Sequence, residues 1–556
     1  MKIIANLIIA LMVLTSAMAQ ELETLNDTYR ESVSEAKSMP RISPEDSANS
    51  IASLGKDIDL ILAQKRVKGA KVGIAVYSVD NQKFIYEKNI DKPLTPASCT
   101  KLMTTFTALE TLGHDFKIRT SVYCDTDAIV DSVLYGNLFL VGRGDPFLSS
   151  NDIDSLARQI KSWGIKEIKG QIYADGTYFD DKTIRKEYSG DKDHVEKLPP
   201  ITAFCLEGNV ATVIVSGQPG PGESALVKTN PPSDGFKIYN SCKVRGKKAA
   251  KSKRRSSLYF DGKEFFNSSR EIDIDQEPIF PVYLNVGDAP PRRRKKSSSS
   301  FSVVSRLQKD GFQAITVKGK VNKSDIRTKR YHILNSELIA AGALKNRLAH
   351  HGIPSDSIFG VCDIDTMNAN NLMAEISRPI SELVAVTNRE SDNFVAEYLF
   401  KIIGAEHKSY ADNAKKTREV QKKLFKEINI HCDKCKLNDG SGLSRKNLLT
   451  ARSLIEILDY TRSQPYYAIL DSSLARAGKT GTLKKRMNST IAEDNLHAKT
   501  GTLRNASALS GYVTTLDNEN LIFAILFNGR YVYDYKQAEN SIGLLLASFF
   551  YFNLEK

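Results

Sequence analysis

Along its 556 residues the chain changes texture twice. Residues 72–79 and 83–87 read as two short strands joined by the turn Asp80-Asn81-Gln82. Thr95-Pro96 then opens a helical stretch toward Gly113, with Thr95 as the expected N-cap and Pro96 as its first residue. From about 116 to 335 the pattern turns to short β-like runs, such as 136–141 and 170–174, around one helix near 153–164. Helical patterning returns through 338–350 and 380–403. The chain closes on a hairpin, 509–515 with 521–527, and on an apolar segment, 542–552, that reads as a buried helix. The middle therefore looks like mostly β material set into a host of another kind. The length alone argues against one compact core.

The first residues, MKIIANLIIALMVLTSAMA, start with one positive charge at Lys2. An apolar run too short for a stable membrane span follows, and Ala17-Met18-Ala19 supplies a small-x-small cleavage pattern. A signal peptide over 1–19 and a polar linker over 20–49 are expected, with export to the periplasm or cell envelope. In an oxidising compartment seven cysteines leave at least one unpaired within the chain. His431-Cys432-Asp433-Lys434-Cys435 offers at most three metal ligands and no second pair, so a local disulfide or two ordinary thiols is the better reading. Cys205 and Cys242 are a possible second pair.

The net charge of +13 invites a nucleic-acid reading until it is located. Residues 243–255 hold eight Lys or Arg and no acid, and 292–296 hold five more. The remaining 65 basic residues balance the 65 acids. Both blocks are flanked by Ser, Ala or Pro, carry no interleaved aromatics, and read as solvated loops. Contact with a polyanion or a membrane surface is open to them; a nucleic-acid partner is not expected of an exported chain.

Three short motifs bear chemistry. Ser98 and Lys101 share a helix face at i, i+3 spacing, where a neutral amine takes a serine proton. Ser391-Asp392-Asn393 sits in a break between helical runs and offers a proton relay and an amide. Lys499-Thr500-Gly501-Thr502 precedes the closing hairpin, and a strand edge with a lysine, two hydroxyls and a glycine suits a carboxylate and a close backbone approach. Each is weak alone. In this order, with 292 residues between Ser98 and Ser391, they form the signature set of serine penicillin-recognising enzymes. Cys99 points about 100° away from Ser98 around a helix and reads as a packed residue.

The chain resembles the class C low-molecular-mass penicillin-binding proteins, the D-alanyl-D-alanine carboxypeptidase/endopeptidase family. The resemblance rests on Pro96-Ala97-Ser98-Cys99-Thr100-Lys101, Gly142-Arg143-Gly144-Asp145-Pro146 and residues 170–175. Ser391-Asp392-Asn393-Phe394-Val395-Ala396-Glu397, Asp439-Gly440-Ser441-Gly442-Leu443-Ser444-Arg445 and residues 498–503 complete it. Arg143, where the family more often has glycine, and the basic blocks depart from it. The resemblance implies an α/β (α+β) transpeptidase/β-lactamase-like fold, an antiparallel sheet flanked by helices, with two mostly β domains inserted. The catalytic domain is then expected over 50–115 and 336–556, inserted domain II over 116–225 and 312–335, and domain III, with the basic loops, over 226–311.

It further implies an acyl-enzyme on Ser98, with Lys101 as base, and Ser391 helped by Lys499 in protonating the leaving amine. Backbone N–H groups of Ser98 and Thr502 would form the oxyanion hole. Asn393 would orient the peptide and Lys101; Thr500, Gly501 and Thr502 would bind substrate. Peptidoglycan stem peptides are the implied substrates and β-lactams the implied inhibitors, with no metal or other cofactor. A β-lactamase of the same fold and a non-catalytic cell-wall-binding protein are the rival readings. KTGTL occurs twice, at 479–483 and 499–503, and only the second precedes a strand pattern. Lys479 is therefore expected to be a look-alike.

Overall fold

The computed structural model describes residues 44–126, 129–191, 197–245, 301–355, 358–364, 369, 371–407 and 412–550. The expected signal peptide, most of the linker and nearly all of both basic blocks lie outside these residues.

Strands Lys71–Ser78 (β1), Lys83–Lys88 (β2), Ala475–Arg476 (β3), His497–Leu503 (β4), Ala506–Thr514 (β5) and Asn520–Asn528 (β6) form one sheet. Its order is β3-β4-β5-β6-β1-β2, antiparallel throughout. Successive residues of a strand face opposite sides. In β6, Phe523, Ile525 and Phe527 join one core, while Ile522, Ala524 and Leu526 join another. Both sides of the sheet are covered, which is why 521–527 reads as an unbroken apolar run. Helices Pro44–Ala63 (α1), Thr100–Leu112 (α2), Ile380–Arg389 (α3), Asn393–Glu406 (α4), Ala451–Arg462 (α5) and Val532–Ala547 (α6) supply the cover. Buried residues of α1 and α6 pack on the first face and those of α2–α5 on the second. The fold is an antiparallel sheet flanked by helices.

Helix α2 is the centre of the molecule, with residues 100–109 all buried. Its threonine hydroxyls are satisfied by carbonyls: Thr100 on Ala97, Thr105 on Lys101 and Thr107 on Met103, at 2.7–2.9 Å.

The described residues of 336–379, assigned from the sequence to the catalytic domain, belong instead to the inserted region. Strands Ile358–Val361 and Asn371–Pro379 are the two edges of a five-stranded sheet whose other members are Lys117–Cys124, Leu138–Gly142 and Ile172–Asp175. Helix Ser336–His350 packs its Ile339, Leu344 and Leu348 into the same core as Leu156 and Ile160. Helical patterning there signalled a helix, not its host. Three-stranded sheets 210–216/226–230/326–332 and 236–240/302–307/313–318 add to the insertion on that shared core, so strands from both expected inserted domains contribute to it.

Three further expectations change. The helix at Pro44 begins inside the stretch read as linker. Thr95 does not cap α2: its N–H donates to Asn528 on β6, and a 3-10 turn, Ala97–Cys99, leads into the helix. Cys432 and Cys435 form a disulfide, whereas Cys205 and Cys242 are separate buried thiols, Cys205 donating to the Pro146 carbonyl. Burial satisfies a small apolar side chain without a bridge.

Candidate active site

Three chain segments that lie between 108 and 400 residues apart meet at the N-terminal end of α2. Ser98 sits in the Ala97–Cys99 turn with Ala97 at φ +49°, a left-handed conformation unusual for alanine. Two glycines let other segments press on that turn. A Cβ at Gly501 on β4 would lie 2.4 Å from the Pro96 carbonyl oxygen, and one at Gly442 would lie 2.0 Å from that of Ala97. The Cys99 thiol adds a bond to the Lys499 carbonyl at 3.3 Å. Burial pushes that thiol up to about 12, so Cys99 stays protonated and structural, as expected from the sequence.

Lys101 is fully buried, the second residue of α2. Its Nζ lies 3.0 Å from Ser98 Oγ and donates to Asn393 Oδ1 at 2.7 Å and to the Ser441 carbonyl at 2.6 Å. Asn393 opens α4, and Asp392 caps that helix by accepting the Val395 N–H. Ser391, at φ +59°, occupies the tight turn between α3 and α4. Its hydroxyl accepts from Lys499 Nζ at 2.8 Å. Lys499 is also fully buried. Burial, and next the like charge of Lys101, hold its amine well below the ordinary lysine range. Ser98, Lys101, Ser391, Asn393 and Lys499 thus converge.

Strand β3 pairs with β4 only at His497 and Ala498. Beyond them, among the described residues, no strand pairs with that edge of β4, so residues 499–503 offer a sheet edge beside Ser98. Thr500 is nearly buried, Gly501 buried and Thr502 exposed.

Lys479, in the first KTGTL copy, points elsewhere. It is half exposed and pairs with Glu493 at 2.7 Å, while Gly481–Leu483 forms a 3-10 turn rather than a strand. The same copy nevertheless reaches the site: Thr482 Oγ1 lies 2.8 Å from Thr500 Oγ1. The sequence held that residue in plain view, inside a motif set aside for its lysine. Ser441 was also missed as a partner of Lys101, because it acts through a carbonyl that any residue carries. The spacing of three serine and glycine positions after Asp439 was its only trace.

Among the described residues no group of three or more His, Cys, Asp or Glu could hold a metal ion. The arrangement instead presents a hydroxyl beside a buried amine, a second hydroxyl–amine pair and a polar strand edge, which together suit acyl transfer.

Comparison with known proteins agrees with that chemistry. Residues 54–265 and 291–548 match the D-Ala-D-Ala carboxypeptidase 3 (S13) family. The chain belongs to that family. It is 29% identical to a D-alanyl-D-alanine carboxypeptidase of Actinomadura sp. strain R39 over 492 residues, 86% of this chain and 81% of that one. It is 24% identical to the carboxypeptidase DacB of Haemophilus influenzae over 472 residues, 84% of this chain and 87% of that one. The crystal structure of penicillin binding protein 4 from H. influenzae superposes with a TM-score of 0.61 at 20% identity, covering 89% of this chain and 99% of that one. As a family member the protein is a serine-type D-Ala-D-Ala carboxypeptidase, a hydrolase.

Proposed function

We propose that Ser98 is the nucleophile that opens the bond between two terminal D-alanines of peptidoglycan stem peptides, and that Lys101 is its base. One observation carries this reading: Lys101 Nζ lies within hydrogen-bond distance of Asn393 Oδ1, the Ser441 carbonyl and Ser98 Oγ, at 2.7, 2.6 and 3.0 Å. A neutral amine has two N–H bonds and one lone pair. If both N–H bonds serve Asn393 Oδ1 and the Ser441 carbonyl, the lone pair is left for the serine hydroxyl.

The proton then moves from Ser98 to Lys101 as the Ser98 oxygen bonds to the carbonyl carbon. The oxyanion is met by the backbone N–H groups of Ser98 and Thr502, each contributing about 3–4 kcal/mol in comparable sites. The proton returns to the leaving D-alanine nitrogen through Ser391, which Lys499 holds, and the C–N bond breaks. Water later hydrolyses the ester. Thr500, Thr502 and Lys499 bind the terminal carboxylate, Gly501 admits the substrate backbone, and Asn393 orients the peptide.

A β-lactam presents the same acyl chemistry, and a penicillin binding protein 4 structure from H. influenzae contains one. Penicillin is accordingly the proposed inhibitor and a convenient probe. Cleavage of cross-links is proposed alongside terminal trimming. Export by residues 1–19 to the periplasm fits a wall substrate, and the blocks 243–255 and 292–296 are proposed to meet an anionic surface. The test is direct. Ser98→Ala forms no covalent adduct with labelled penicillin and releases no D-alanine from a pentapeptide; an adduct on that variant refutes the assignment.

A further inference from the structure

Residues 439–444 are buried throughout and lie between α2 and α4. Two of their carbonyls serve α2. Ser441 O accepts from Lys101 Nζ at 2.6 Å and Gly440 O from Thr104 Oγ1 at 2.9 Å. The matching amides serve a carboxylate on α4. The Ser441 N–H donates to Glu397 Oε1 at 2.9 Å and the Gly440 N–H to Oε2 at 3.4 Å. The Tyr188 hydroxyl donates to Oε2 at 3.0 Å. Glu397 is fully buried, one helical turn beyond Asn393.

We propose that Glu397 is a positioning residue for the reaction: its carboxylate fixes the 440–441 backbone so that the Ser441 carbonyl is aimed at Lys101. The proposal rests on the reading of Lys101 as the base for Ser98. Its logic is one of donors and acceptors. The Tyr188 hydroxyl, the Gly440 and Ser441 amides and the Ser441 hydroxyl all face Glu397, and an ionised carboxylate accepts from all of them. Once protonated, one oxygen must itself donate. The Tyr188 hydroxyl can reverse to accept that proton, but the bonds from the Gly440 and Ser441 amides lose their charged acceptor, and the peptide that holds Lys101 is held less firmly.

The surroundings place that event near neutrality. Burial first, and the Asp439 carboxylate next, raise Glu397 to about 7; the Ser441 donor and the Arg185 guanidinium oppose the rise. Arg185 is shared, since it pairs with Asp439 at 2.7 Å and Asp191 at 3.0 Å. Arg418 stands behind, on the carbonyls of Tyr188 and Asn438, and Lys101 lies across the Ser441 peptide. A carboxyl group raised in the folded state is cheaper to bury when protonated. The fold therefore gains stability as pH falls through about 7, while the base loses its alignment over the same window. A side chain that only filled space would not set activity and stability moving in opposite directions.

The experiment is the pH profile of acylation by labelled penicillin, taken to saturation so that the acylation rate constant separates from binding. In the wild type an acid limb near pH 7 is expected. Glu397→Gln, which keeps one acceptor and cannot ionise, should lack that limb, with binding little changed and acylation slowed on the order of 10-fold above it. Tyr188→Phe removes one donor to the carboxylate and should move the limb to higher pH. Tyr188→Phe decides the matter if Glu397→Gln does not fold. A wild-type profile in Glu397→Gln, or an unmoved limb in Tyr188→Phe, overturns the proposal. Ser98→Ala in the same assay tests the underlying reading separately, because an adduct there removes the nucleophile and leaves the Glu397 titration standing.

Discussion

The two KTGTL copies meet in one pair of hydroxyls, Thr500 and Thr482, 2.8 Å apart. Two hydroxyls in contact share one hydrogen between them and leave one O–H to turn outward. If a substrate carboxylate docks on β4, that outward O–H is its donor, and each threonine supports the other. A neutral hydroxyl–hydroxyl bond contributes about 1 kcal/mol net, and a bond to a charged acceptor about 1.5–3 kcal/mol. Thr482→Val should then lower the second-order rate of penicillin acylation about 5-fold. Thr500→Val, which also loses the charged contact, should lower it about 60- to 700-fold. The shared bond is counted in both single variants, so the double variant should fall short of their sum by about 1 kcal/mol. Lys479→Ala is the internal control. Its side chain is half exposed and paired with Glu493, away from Ser98, so the rate should not change. Stopped-flow acylation at fixed pH reads all four proteins. A wild-type rate in Thr482→Val, or strict additivity in the double variant, refutes the shared-donor argument. A loss in Lys479→Ala comparable to that of Lys499→Ala would transfer the site to the upstream copy.

Two more perturbations test the frame around the site. Lys499→Met should abolish acylation yet raise the melting temperature at neutral pH. The folded protein holds the amine well below its ordinary range, whereas the unfolded chain binds that proton; wild-type stability should therefore rise with pH up to the ordinary lysine range, and the variant's advantage should shrink over the same interval. Gly442→Ala places a Cβ at φ +83° and 2.0 Å from the Ala97 carbonyl, backbone against backbone. Conformational strain of about 1–3 kcal/mol and a displaced Ser98 turn should lower both melting temperature and acylation, the latter on the order of 100-fold. Gly69→Ala, with nothing within 4 Å of the new atom, should change neither.

What could be read from the sequence was chemistry carried by side chains at short range. Ser98 with Lys101, and Ser391 with Asn393, stand on neighbouring turns, so their spacing survives any error in the intervening 292 residues. The host sheet was legible at β5 and β6, where covered faces leave an apolar run. The limits of the insertion were not, because pairing of Asn371–Pro379 with Lys117–Cys124 spans about 250 residues and leaves no local mark. The site failed to show itself in the same way wherever backbone did the work. Lys101 is aligned by the Ser441 carbonyl, and that peptide is held by Glu397 and Gly440-Ser441 amides. Side-chain identity constrains such a peptide only through what surrounds it. Here the constraints are a glycine at 442 against Ala97 and a buried acid at 397. Both residues stand inside stretches visible beforehand, Asp439-Gly440-Ser441-Gly442 and Ser391-Asp392-Asn393-Phe394-Val395-Ala396-Glu397. Each stretch extends past the residues that face the substrate. Those extra positions are accounted for if they hold a peptide plane, because on the proposed reading of Lys101 as base a misaimed carbonyl slows the reaction without any change to the lysine.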